Sequence, residues 1–165
     1  MPLTQVQGGM ILASGQSIPK AALPTGSVLQ VVSAVMANTF STSSGSWVDT
    51  GFSATITPTS ATSKILILFN SGGTSRPAVA NECLRLQIVR GSSTFVYGAS
   101  NLFFSSSNFD QSDWSSSFQY LDSPATTSST TYKIQMQTRL NNTCSMNVGA
   151  SAGQNATLTL LEIAA

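Results

Sequence analysis

Six acidic side chains carry all the carboxylate chemistry open to this chain of 165 residues: Asp49, Glu82, Asp110, Asp113, Asp122 and Glu162. A glycosidase sets two carboxylates across a cleft. The one pair close in sequence is Asp110 with Asp113, inside Asn108-Phe109-Asp110-Gln111-Ser112-Asp113. These two are the candidates for holding a hard cation through oxygen, but the ligand spacing of a calcium loop is missing. A polar loop capped by its own backbone accounts for them as well. The chain has no His, which removes the commonest general base and metal ligand. With no nucleophile–base pair visible, the chain is expected not to be an enzyme and to need no cofactor. Cys83 and Cys144 fall in apparent strands, and their spacing does not decide between two buried thiols and a disulfide. Trp47, Tyr97, Trp114 and Tyr120 can stack on sugar faces, although such rings more often fill a core.

Charge narrows the partners. Charged residues make up 8% of the chain and the formal net charge is +1, far from the usual quarter. The cations Lys20, Lys64, Arg76, Arg85, Arg90, Lys133 and Arg139 are scattered. Nucleic acid needs a basic stripe to neutralise phosphates, so no such partner is expected. Hydrophobic residues reach 41% and Ser with Thr exceed a quarter. Such a chain can fold, with a surface of hydroxyls and amides. No run is long enough for a membrane helix, and the N-terminus shows no basic-then-apolar secretory pattern. No membrane insertion is expected.

The elements that must position these groups are strands. Ser63-Lys64-Ile65-Leu66-Ile67-Leu68-Phe69-Asn70 has five apolar residues in succession. Successive strand side chains point to opposite faces, so Ile65, Ile67 and Phe69 face one way and Leu66 and Leu68 the other. Thr157-Leu158-Thr159-Leu160-Leu161-Glu162-Ile163 is also apolar on both sides. Thr131 to Gln137 alternates, with Tyr132, Ile134 and Met136 inward. Glu82 to Arg90 alternates too, with Leu84, Leu86 and Ile88 inward. Gly51 marks a bulge or bend, Ser71-Gly72-Gly73 reads as a turn, and Asn38 to Ser46 reads as a loop. Nine or ten short strands with no helical period predict an all-β, antiparallel two-sheet jelly-roll sandwich over residues 26–165.

Residues 1–25 read as a separate extended arm, interrupted by Pro2, Gly8-Gly9, Gly15, Pro19 and Pro24. At full extension it spans on the order of 80 Å. Its apolar Met10, Ile11 and Leu12 are expected to dock on a larger particle. Two doubly apolar strands in so small a sandwich predict a homotrimer, with Ile65, Ile67, Phe69, Leu158, Leu160, Leu161 and Ile163 as its interface. The loops 70–81 and 100–113 carry Arg76, Asn81, Phe103, Phe104 and Phe109, the expected contacts for a host surface glycan or protein.

Several segments carry a family resemblance: Gly26-Ser27-Val28-Leu29-Gln30-Val31-Val32, Trp47-Val48-Asp49-Thr50-Gly51-Phe52-Ser53-Ala54-Thr55-Ile56-Thr57-Pro58, Ser63 to Ile67, and the ending from Tyr132-Lys133-Ile134 through Leu158 to Ile163. Together they resemble small virion and tail-fibre-like proteins of tailed bacteriophages of marine and cyanobacterial hosts. The globular part is similar to the trimeric jelly roll of C1q and tumour necrosis factor. The resemblance implies a non-enzymatic particle appendage, either a capsid decoration, head fibre or fibre knob. It would be made in the host cytoplasm, displayed on the virion surface and held to other virion proteins by its arm. The alternative it implies is a tail-fibre adhesin.

Overall fold

The computed structural model describes residues 23–92, 94–102, 111–148 and 155–165, with the side chains of 94–97, 99–102 and 111–114 left aside. Its strands are β1 (Val28–Val35), β2 (Phe40–Thr42), β3 (Val48–Ile56), β4 (Lys64–Arg76), β5 (Leu84–Arg90), β6 (Thr94–Leu102), β7 (Gln111–Asp122), β8 (Thr130–Thr138), β9 (Cys144–Met146) and β10 (Thr157–Ile163). One six-stranded sheet runs β1-β10-β4-β9-β2, with β7 also paired to β4; the other runs β3-β8-β5-β6. Every pairing is antiparallel. The result is a jelly-roll-like β-sandwich.

The core lies where the inward halves of the alternating strands meet. β8 alternates without a break, burying Thr130, Tyr132, Ile134, Met136 and Thr138. Opposite it, β4 contributes Ile65, Ile67 and Phe69, and β10 contributes Leu158 and Leu160. Leu84, Leu86, Ile88, Phe52 and Ile56 complete the layer. Each such side chain, fully buried, contributes about 1.5–3 kcal/mol of transfer free energy. Phe69 stacks at a tilt on Phe118, with ring centroids 4.7 Å apart, joining β4 to β7 by more than backbone bonds.

Two expectations are corrected. Ser71-Gly72-Gly73 does not end the central strand; β4 continues through it to Arg76. Register with β7 shifts between Asn70 and Gly73, and Gly72 takes a φ of 63° that β-carbon-bearing residues rarely adopt. Asn70 Oδ1 accepts the Gly72 N–H at 2.8 Å. The glycine therefore makes a bulge inside a long strand, where a turn was expected. The loop expected over Asn38 to Ser46 contains β2, paired with β9 through Phe40↔Met146 and Thr42↔Cys144. Gly51, at φ 76°, lies where the β3–β8 register shifts, as a bulge residue should.

Asn147 closes the end of the sandwich. Wholly buried, it donates from Nδ2 to the carbonyls of Met36 and Asn38 and accepts the Ala156 N–H at 2.7 Å. One amide thus joins the segments after β1, after β9 and before β10. Met10, Ile11, Leu12, Phe103, Phe104, Phe109 and Asp110 lie outside the described residues, as does the side chain of Asp113.

Leu160 tests the core directly: it is inaccessible to solvent and lies between Val32 and Ile67. Leu160→Ala should lower unfolding free energy by about 2–5 kcal/mol, read as a shift in the urea midpoint with an unchanged slope.

Candidate functional site

Three acids that the sequence offered for chemistry are buried and already engaged. Glu82 precedes β5 and is fully covered. It accepts the backbone N–H groups of Cys83, Arg139, Leu140 and Asn142 at 2.9–3.1 Å, and Asn142 Nδ2 at 2.9 Å. Burial alone would raise this carboxyl, but Asn142 and the backbone N–H groups outweigh it and hold it below its ordinary value. Asp122, at the end of β7, accepts Arg90 Nη1 at 2.5 Å and the Tyr132 hydroxyl at 2.6 Å, which ties the two sheets together. Burial, then the Asp122 carboxylate, push the Tyr132 phenol upward. Glu162 on β10 accepts Gln30 Nε2 at 2.6 Å and both the N–H and the hydroxyl of Thr59 at 2.7 Å. Its carboxyl is also held low: burial acts upward, and the Gln30 and Thr59 bonds prevail.

These carboxylates stand on separate elements and each has its own donors, so the geometry gives a saturated scaffold with no acid–base pair. Asp49 is exposed and paired to Lys133 at 2.6 Å and to Gln135; those two bonds hold its carboxyl low. Among the described residues no group of three or more His, Cys, Asp and Glu could hold a metal. Cys83 and Cys144 are buried and not joined in a disulfide. Burial raises both thiols, Cys144 to about 12. Sequence reasoning did not find the scaffold role of Glu82. Its one signal was a lone acid beside Cys83-Leu84, where a solvated surface would have been the default.

The expected interface set divides between the two faces. Ile65, Ile67, Phe69, Leu158 and Leu160 are the chain's own core, so a subunit contact cannot use them. Leu161 and Ile163 point outward, as do Leu66 and Leu68. Residues opposite one another in antiparallel strands share a face. The register therefore aligns Val31, Leu161, Leu66 and Leu121 across β1, β10, β4 and β7. Four strands at about 4.8 Å spacing make this an apolar band roughly 14 Å wide. Val31 is 57% exposed and Leu121 46%. Val28 and Val35 extend the patch. Lys64 supplies the charge on this face among the described residues of the four strands. Strand β1 pairs with β10 alone among the described strands, and it has neither charge nor proline, the usual guards of an edge.

Arg76, expected on a contact loop, is 3% exposed and ends β4, donating to the carbonyls of Pro77 and Val79. Its guanidinium holds the following loop in place. Asn81 is exposed, in a left-handed turn at φ 62°, and its carbonyl accepts Arg139 Nη1. The structure does not bring the two together as an outward patch.

No family model matches the chain, and no curated protein matches it. Solved structures of infectious bursal disease virus do align with it. Its VP2 subviral particle shows 17% identity over 82% of this chain and 37% of that one, with a TM-score of 0.44. The Gx strain shows 17% identity over 94% and 42%, TM-score 0.46, and the T13 viral particle 18% over 96% and 41%, TM-score 0.46. The chain thus spans about two fifths of the length of the chains it matches. These TM-scores lie below 0.5. The resemblance to tailed-bacteriophage virion and tail-fibre proteins, and to C1q and tumour necrosis factor, is corrected: the aligned structures belong to a different virus. The segments that carried it are Val-, Ile- and Thr-rich strands with Gly and Pro turns, which many antiparallel sandwiches produce.

Acid should loosen the scaffold. Glu82 and Glu162 have folded-state values below the ordinary 4.5. Their stabilisation is therefore complete above about pH 4.5 and is lost as pH falls through the folded values. The urea midpoint should hold level between about pH 7 and 5 and fall below about pH 4. Glu82→Gln should cost about 1.5–3 kcal/mol at neutral pH and flatten the acid limb of that profile.

Proposed function

We propose that the chain is a non-enzymatic structural protein of a virus particle, working as a homotrimer displayed on the virion surface and made in the host cytoplasm. The observation that carries this reading is the apolar band Val31, Leu161, Leu66 and Leu121, on the face of the six-stranded sheet turned away from the core. A sheet with one wet face normally alternates apolar and polar. Here the second face is apolar as well, next to an unguarded edge, and a contact between copies removes both from water. The saturated carboxylates support the non-enzymatic part, because the buried acids Glu82, Asp122 and Glu162 have their donors within the fold. The infectious bursal disease virus particles accord with the virion reading but lend it no weight.

Residues 1–25, with Met10, Ile11 and Leu12, act in this reading as a tether to other virion proteins, supported by the breaks at Pro2, Pro19 and Pro24. A second reading, contact with a host surface through loops, loses Arg76 to the interior.

Sedimentation of the full chain at micromolar concentration should give three times the 17.2 kDa chain mass. Val31→Asp with Leu121→Asp should give folded single chains, with circular dichroism unchanged. A wild-type chain that sediments singly at every concentration refutes the trimer. Antibodies to the pure chain should label intact particles of the virus that encodes it, and unlabelled particles refute the surface location.

A further inference from the structure

Beside the apolar band the same sheet face changes character. A groove of about 490 Å³ follows β4 between β10 and β7, lined by Leu68, Asn70, Ser117, Gln119, Thr157 and Thr159 among others. The register sets these as two rows, Thr159–Leu68–Gln119 and Thr157–Asn70–Ser117. The grid measures about 10 Å across the strands and about 7 Å along them, enough for one or two hexose rings.

We propose that this groove binds a neutral oligosaccharide. Leu68, 37% exposed at the centre of one row, offers an aliphatic platform for the C–H face of a sugar. Hydroxyls and amides surround it, and none of the lining side chains is charged. Sugar hydroxyls need partners that both donate and accept, which Asn, Gln, Ser and Thr provide. Part of the frame is already fixed: Asn70 Nδ2 donates to Ser117 Oγ at 2.8 Å, and Thr159 Oγ1 pairs with Ser33 Oγ at 3.0 Å. The Gln119 amide and Thr157 hydroxyl form no side-chain hydrogen bond among the described residues and face each other across Leu68 and Asn70. Hydroxyl-rich surface is common in this chain, but here it is concave and arranged around an exposed aliphatic centre. A phosphate or sulfated sugar would find no cation in the grid; Lys64 is two rows beyond Leu68 on β4.

The test uses the full chain, isotope-labelled, titrated with maltohexaose, cellohexaose and chitohexaose and, separately, with a heparin hexasaccharide. At least one neutral probe should shift the backbone amide signals of Leu68, Asn70, Gln119 and Thr157 in a saturable way. Gln119→Ala and Thr157→Ala should each weaken that binding by about 3- to 10-fold and leave the sedimentation profile unchanged. Heparin should leave these signals in place. No saturable shift from any neutral probe overturns the proposal. So does binding that both variants retain in full, or a heparin response at the same amides. Because oligomeric state is read in parallel, a silent titration with an intact trimer sinks this inference alone.

Discussion

The constraint from which the rest follows is that β4 and β10 are apolar on both faces. Their inward residues, Ile65, Ile67, Phe69, Leu158 and Leu160, are covered by the opposite sheet at 0–2% exposure. Their outward residues, Leu66, Leu68, Leu161 and Ile163, have no second layer over them among the described residues. β4 is also the strand on which the six-stranded sheet converges, since β10, β7 and β9 all pair with it. It runs for 13 residues, with β10 paired before the Gly72 bulge, β9 after it and β7 on both sides of it. β9 joins β4 beyond the bulge, at Thr74 and Ser75.

Charge plays a different part from the one its scarcity suggested. With so few ionic groups, the fold places two carboxylates, Glu82 and Glu162, where backbone N–H groups need an acceptor and a third, Asp122, between side chains of the two sheets. Glu82 gathers the N–H groups of the turn after β8, Glu162 accepts the N–H and the hydroxyl of Thr59, and Asp122 accepts from Arg90 and Tyr132 of the other sheet. A buried carboxylate with several donors is stable where an isolated one is not. Removing Glu82 would leave the N–H groups of Cys83, Arg139, Leu140 and Asn142 without their acceptor; removing Asp122 would strip Arg90 and the Tyr132 hydroxyl of theirs.

Much of the fold was legible in the sequence. The alternation of Tyr132, Ile134 and Met136, and the inward Leu84, Leu86 and Ile88, follow from the two-residue strand period and recur in the structure. Which face of β4 meets the core was not legible, because Leu66 and Ile67 are equally apolar; partner strands decided it, and five of the seven expected interface residues fell inside. Arg76 looked like a surface cation until the loop carbonyls of Pro77 and Val79 were in place to receive it. The Ser71–Gly73 bulge was read as a turn because glycine signals both, and the pairing with Ser115 and Ser117 that separates them lies some 45 residues away.

The central claim concerns water at the outer sheet face, so the direct measurement is of side-chain accessibility there. Hydroxyl-radical footprinting of the full chain across a dilution series reports oxidation at Val31, Leu66, Leu121 and Leu161 individually. The account predicts that all four are protected at concentrations where the chain is assembled and become reactive together on dilution, while Leu86 in the core stays protected throughout. Equal reactivity of the four at every concentration would contradict it.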